Sequence, residues 1–205
     1  MTKLVLFAEG SFGRDVALRI ASENASAHVY SLARSSGQFE LLLQGADFAG
    51  VAAWRRYTRE CDELDAVCSR LRIPWTSAVL EGSELRSGPV VVPGGPCFAC
   101  YQRRRLTHVQ DIEREITIDK ACDTDPALGP AGFLPSASAM AVAGMRLDRQ
   151  DRSFAAGRIR QADLLTGGFL ETRVVRVHGC ARCSSTHAGE RYVRRLVPAM
   201  REIVG

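Results

Sequence analysis

Two Cys-x-x-Cys pairs, Cys97/Cys100 and Cys180/Cys183, constrain this chain more than any other feature. Two intervening residues let the backbone curl so that both sulfurs of a pair face one ion. Two such pairs supply the four thiolates of a closed tetrahedral structural zinc site. Turn formers flank both: Pro93-Gly94-Gly95-Pro96 precedes the first pair and Gly179 the second. The pairs lie about 80 residues apart, so the metal is expected to pin two distant segments of one fold, unlike the ligands of a compact finger. With all four positions taken by protein, no coordination site is left open for chemistry. The alternatives for the same residues are buried free thiols or a disulfide framework.

The 205 residues, 46% of them hydrophobic, suffice for one sizeable core, and a single domain over 1–205 is expected. Seven cysteines without a secretory signal favour a reducing cytoplasm. The apolar start, Leu4 to Phe7, ends at Glu9-Gly10 and is too short for a signal core or a membrane span. Cys61 and Cys68 stand seven apart on an expected helix, where they share a face and pack. Cys122 is read as another inert filler. A formal charge of +4 permits an acidic partner without demanding nucleic acid.

Leu4 to Ala8 reads as a buried strand, followed by Gly10-Ser11-Phe12-Gly13 and a helix over about 14–23. Strand, glycine turn and helix open a nucleotide-binding βαβ unit. Gly10 and Gly13 are the candidate cofactor-binding residues, because glycines let a backbone approach phosphate at a helix N-terminus. The pattern is degraded: Ala8 and Ser11 replace glycines, and Glu9 puts a carboxylate where phosphate would come. Further strands are expected over 28–32, 46–53, 76–80 and 88–92, with a helix over 54–70 and a turn at Glu81-Gly82-Ser83. A helix over 97–108 carries Arg103, Arg104 and Arg105. The loop 128–135 feeds a small-residue helix over 136–147. A hairpin over 158–164 and 169–177 turns at Thr166-Gly167-Gly168, and an amphipathic helix spans about 188–204. The alternation implies a Rossmann-like, doubly wound α/β fold with a mainly parallel sheet, a four-cysteine zinc staple and a hairpin near the C-terminus.

In order along the chain, these pieces resemble the ubiquitin-activating, ThiF/MoeB-type adenylation superfamily. The matching segments are Gly10-Ser11-Phe12-Gly13, Leu71-Arg72-Ile73-Pro74-Trp75, Gly95-Pro96-Cys97-Phe98-Ala99-Cys100, Leu128 to Leu147, and Cys180-Ala181-Arg182-Cys183. The stretch from Ile73 to Arg105, with Gly-Pro-Val-Val-Val-Pro-Gly before the first cysteine pair, looks closest to the ThiF-like component of azoline-forming peptide cyclodehydratases. That resemblance implies a scaffold that presents a ribosomal precursor peptide to a YcaO-type, ATP-dependent partner, which forms thiazoline or oxazoline rings. It also implies pairing, either as a homodimer or with the partner. The helices over 136–147 and 188–204 are the candidate contact elements, against the simpler reading that both pack on their own core.

Adenylating members need an acidic residue after the second strand for ribose and an Asp after the third for magnesium. Here the second strand is followed by Ala33-Arg34-Ser35-Ser36-Gly37, and counting back from Ile73-Pro74 places Arg56 near the magnesium position. A guanidinium beside Mg²⁺ opposes ATP chemistry, so ATP binding is not expected. Cys122 is flanked by Asp123 and Asp125, which blunt a thiolate, and no catalytic residue is assigned. The N-terminal winged-helix module by which such proteins bind leader peptides is not expected in a chain whose first strand begins at residue 4. Two other readings stay open. One is an active adenylyltransferase, with Arg14, Arg55 or Arg59 on phosphates. The other is a zinc-ribbon nucleic-acid binder using Tyr101 to Arg105, although 23 acidic residues dilute its charge. His178 and His187 flank the second cysteine pair and are given a supporting or surface role.

Overall fold

Apolar residues fill almost every position of Lys3–Glu9 (β1) and Ala46–Ala53 (β3), the composition of strands covered on both faces. The computed structural model describes residues 3–125, 128–129, 132–152 and 155–183. Among them, β1 and β3 sit side by side in a seven-stranded sheet of order β2-β1-β3-β4-β5-β6-β7, with β2 Ala27–Ser31, β4 Trp75–Glu81, β5 Glu84–Ser87, β6 Arg158–Asp163 and β7 Phe169–Arg173. The pairings among β2, β1, β3 and β4 are parallel, the expected doubly wound half. From β4 onward each pairing is antiparallel: the two-residue turn after Glu81 reverses the chain into β5, the hairpin after Asp163 reverses it into β7, and β6 returns beside β5 after a long helical connection.

Strand residues alternate between two cores. Leu4, Leu6, Phe48 and Ala52 face helices α1 (Gly10–Ser22) and α6 (Pro135–Gln150). Val5, Phe7, Ala49 and Val51 face α2 (Phe39–Leu42), α3 (Thr58–Leu71) and α4 (Phe98–Thr107). That second core runs without a break from Phe7 through Trp75 and Phe98 to the four cysteines, so the candidate metal ligands belong to the main hydrophobic cluster. Cys61 and Cys68 lie buried on the inner face of α3, where burial pushes both thiols up, Cys61 to about 12.

Three expectations are corrected. The strand placed at 88–92 is instead β5 at 84–87: Gly88 has φ +102° and Pro89 has no N–H to give to a ladder, so beyond Ser87 the chain keeps isolated pairings, a bridge between Val91 and Trp75 and bonds of Val90 with Gly157 and Arg158. The helix placed at 54–70 begins four residues later, leaving Trp54, Arg55, Arg56 and Tyr57 as a loop at the carboxyl end of β3. A helix, α5 (Ile112–Thr124), stands where none was assigned and carries Cys122. It buries no residue, so its apolar periodicity is weak; Asp111 caps it by accepting from Arg114 N–H, and ion pairs hold it to the body. The small-residue helix forms as α6 and turns Ala137, Ala141, Val142 and Met145 into its own core, which favours packing over docking for that face. The helix expected over 188–204 lies outside the described residues, as does His187.

Candidate functional site

The two cysteine pairs converge. Sγ atoms of Cys97, Cys100, Cys180 and Cys183 all lie within 4.8 Å of one another, with separations of 3.8 Å for Cys97–Cys100, 3.6 Å for Cys97–Cys180 and 3.3 Å for Cys100–Cys183. A disulfide needs sulfurs at about 2.05 Å, so the four are free thiols and not a pair of bridges. A tetrahedral ion with sulfur at about 2.3 Å spaces its ligands by about 3.8 Å, close to the separations found. The four cysteines could therefore hold a metal ion, and they would occupy every corner of its tetrahedron.

Local structure explains the arrangement. Cys97 is the N-cap residue of α4, and Cys100 lies one turn in, its N–H bonded to Cys97 O at 3.1 Å. The segment after β7 closes over them: Val177 N–H donates to Cys100 Sγ at 3.3 Å. Burial pushes the Cys97 thiol up. Burial also acts on Cys180, but the backbone N–H groups of Cys183 and Arg182, with the thiols of Cys97 and Cys100, together outweigh it and hold that thiol down to about 6. His178 is exposed and outside this cluster.

One carboxylate locks the centre to the rest of the fold. Asp65 on α3 is wholly buried and accepts from Trp75 Nε1 at 3.0 Å, from the α4 backbone at Phe98 N–H at 3.2 Å, and from Arg182 Nη1 at 2.8 Å. Arg182, between the second pair of cysteines, also holds both oxygens of Asp62, at 2.7 and 3.0 Å. Helix, sheet and both cysteine segments thus meet at one side chain. Sequence reasoning missed it. The available signals were a cation inside the second Cys-x-x-Cys and acids at 62 and 65, one helical turn apart on α3.

The glycine-turn crevice is a different matter. β1 runs to Glu9 and α1 starts at Gly10, so no loop residue separates strand from helix. A side-chain carbon on Gly13 would fall 2.2 Å from Ala52 O, and one on Gly10, whose φ is +71°, would fall 2.2 Å from the Trp54 indole. Both glycines are explained by contacts within the protein: Gly13 lets α1 lie against β3, and Gly10 makes room for Trp54. The same indole would be 2.9 Å from a carbon on Gly129, so it fills the space between the turn and that loop. Its N–H donates to Tyr57 Oη at 3.2 Å. Glu9 bridges the ends of β1 and β2, accepting from Ser31 Oγ and, at 2.9 Å, from Ala33 N–H.

Arg56, at the expected magnesium position, and the three arginines considered for phosphate binding differ in how far they are engaged. Arg56 binds Glu81 at 2.8 Å, Asp119 at 3.6 Å and Glu115; burial pulls this guanidinium down, but the three acids together raise it above its ordinary value. Arg55 is buried against the Tyr57 ring, 4.2 Å from its centroid, and its Nε and Nη1 have no hydrogen-bond partner among the described residues. Arg59 pairs with Glu60 at 2.9 Å, and Arg14 is exposed on α1. The basic run on α4 is also spoken for in part: Arg104 donates to Val175 O and Arg176 O, and Arg105 to Glu115.

The architecture is shared with proteins of known structure. A heterocyclase in complex with substrate and cofactor superposes with a TM-score of 0.62 at 16% identity, over 89% of this chain and 25% of the heterocyclase. The heterocyclase TruD gives 0.62 at 19% identity, over 89% of this chain and 27% of TruD. E. coli MccB gives 0.60 at 16% identity, over 90% of this chain and 66% of MccB, and is also known with ATP and with MccA. The fold is that of TruD and MccB. This bears out, at the level of fold, the resemblance drawn from the motifs. The chain spans about a quarter of the heterocyclases' length. No family model and no curated protein sequence matches it.

Proposed function

We propose that this protein is a zinc-stapled, non-adenylating subunit of a peptide-cyclising complex. In this reading it holds a ribosomal precursor peptide for a YcaO-type partner, and the partner performs the ATP-dependent ring closure. The observation that carries the reading is a heterocyclase-like fold whose nucleotide crevice is taken up by protein: Trp54 on Gly10, Glu9 across to Ala33, and Arg56 inside a ring of carboxylates. A nucleotide would have to displace a packed indole and would meet the Glu9 carboxylate at the helix N-terminus, where its phosphates belong.

Zinc is the metal the donor set favours, since four thiolates in a tetrahedron suit it and leave it no open position. Its role is to clamp α4 against the segment after β7. One domain built on one sheet, working in the cytoplasm and pairing with itself or with the partner, completes the proposal.

The test has two arms. The protein alone, given ATP, pyrophosphate and a peptide, should catalyse no exchange and bind no ATP. Co-expressed with the YcaO-type enzyme of the same genome and its precursor, it should be required for the loss of one water per ring. Exchange by the protein alone would establish the adenylating reading in its place. Ring formation undiminished when the chain is omitted would end the scaffold reading.

A further inference from the structure

The sheet ends on an edge that the crevice and the cysteines leave unexplained. β7 pairs with β6 from Arg158–Arg173 to Ala162–Phe169, and among the described residues no strand lies on its other side. Val174 N–H donates to Gly157 O, and Gly168 O accepts from Asp163 N–H. In an antiparallel ladder this directs the backbone groups of even-numbered residues at β6, so Phe169, Glu171 and Arg173 aim theirs outward. Every β7 residue is exposed, and Phe169, Leu170 and Val175 leave 62%, 57% and 65% of their surface open. Natural proteins shorten, charge or cover such edges, because free N–H and C=O groups recruit another strand.

The strand is also one wall of a groove of about 690 Å³ whose other wall is α4. The charged lining is five arginines (Arg56, Arg86, Arg104, Arg105 and Arg173) against three glutamates (Glu81, Glu84 and Glu115). Arg86 is 5% exposed, lies 5.0 Å from the Tyr101 ring centroid, donates through Nη1 to Ser77 Oγ and Gly88 O, and has no partner for its Nε among the described residues. Arg173 forms no ion pair with a described residue, and Arg104 sits at the end of β7 on Val175 O.

We infer that β7 is a docking edge for an extended acidic peptide, which adds to the sheet as an eighth strand. Backbone groups of Phe169, Glu171 and Arg173 supply the ladder, and the arginine excess of the groove selects carboxylates over other side chains. A second copy of this chain is the competing occupant, and charge disfavours it, since it would bring the same arginine excess against its own. The inference deepens the peptide-handling reading. It rests on that reading for the peptide's purpose, but not for its binding.

The probe is a short fluorescein-labelled peptide alternating glutamate with valine, titrated by anisotropy against the metal-loaded full chain. It should bind at low salt and weaken as salt rises. The lysine–valine counterpart should not bind. Glu171→Pro removes one outward N–H while leaving the β6 ladder intact, and should weaken binding about tenfold. Glu171→Val, which loses the same carboxylate but keeps the N–H, should bind at least as well as the native chain. Arg173→Glu should weaken binding about tenfold. Unchanged circular dichroism and metal content would show that each variant is folded. Absence of binding, equal binding of the lysine peptide, or equal affinities for Glu171→Pro and Glu171→Val would overturn the inference. So would self-association in the absence of peptide that Glu171→Pro abolishes, which would assign the edge to a second copy. No partner enzyme enters this titration, so its failure is distinct from failure of the complex-forming test above.

Discussion

Asp65→Ala should loosen the four-cysteine cluster, and with it the proposed metal site, without touching a cysteine. The carboxylate is fully buried, and three donors converge on it. Alanine leaves the Trp75 indole N–H and the Phe98 N–H without an acceptor in a dry core, at about 1–3 kcal/mol each. Arg182 retains Asp62 and loses less. The first turn of α4 also loses a negative charge at its N-terminus, which adds to the cost. Two orphaned donors at mid-range give about 4 kcal/mol, a large share of the ~5–15 kcal/mol that holds a domain together. At about 2–4 °C per kcal/mol for a chain of this size, the midpoint should fall by about 8–16 °C. The assay is thermal and urea unfolding of metal-loaded protein, paired with the rate at which a chelator extracts the metal. Asp65→Asn, which keeps the volume and one acceptor, should fall between native and alanine. A midpoint within about 2 °C of native, with unchanged chelator resistance, would refute the claim that Asp65 joins helix, sheet and cysteine segments.

Four other outcomes follow from the same contacts. Cys97→Ser or Cys180→Ser should abolish stoichiometric metal binding and lower solubility, read by metal analysis and by the soluble fraction on expression, because metal binding and folding are coupled. Arg182→Leu leaves Asp65 buried without its cation and should destabilise by about 3–5 kcal/mol in urea unfolding, more than Arg182→Lys. Gly13→Ala forces a carbon against Ala52 O and should cost about 1–3 kcal/mol by pushing α1 off the sheet, whereas alanine at Gly37, where nothing lies within 4 Å, should affect only its positive φ. Glu115 is raised by burial, but Arg105 and Arg56 outweigh that and hold it below its ordinary range. Its contribution is therefore present above the unfolded glutamate pKa of about 4.3 and is lost as pH falls through the lower folded value. Hydrogen exchange in α5 should accelerate across that window, and Glu115→Gln should remove the dependence.

Much of the fold was written locally. The apolar runs at 4–8 and 46–53 become β1 and β3 because a strand covered on both faces has no other composition, and the seven-residue spacing of Cys61 and Cys68 puts both thiols on the buried side of α3. The error at 88–92 has a local cause as well. Val90, Val91 and Val92 read as a strand, yet after Gly88 and Pro89 they keep only isolated pairings with Trp75, Gly157 and Arg158, while charged Glu84 and Arg86 alternate with Leu85 along the true strand β5. α5 was missed because it buries nothing, so no periodic apolar signal marks it.

The sequence by itself picked out the four cysteines that come together, the α/β alternation and the departure of the glycine turn from the dinucleotide pattern. Each depends on residue type and short spacing, which neighbouring residues enforce. Only the tertiary structure decided that cysteines 83 residues apart in chain position bring their sulfurs to 3.6 Å, that Asp65 receives donors from three segments, and that Trp54 lies on Gly10. Those contacts are set by how the strands order themselves and by which helix covers which face. That choice is made by burying the whole apolar surface at once, and no local window of the chain contains it.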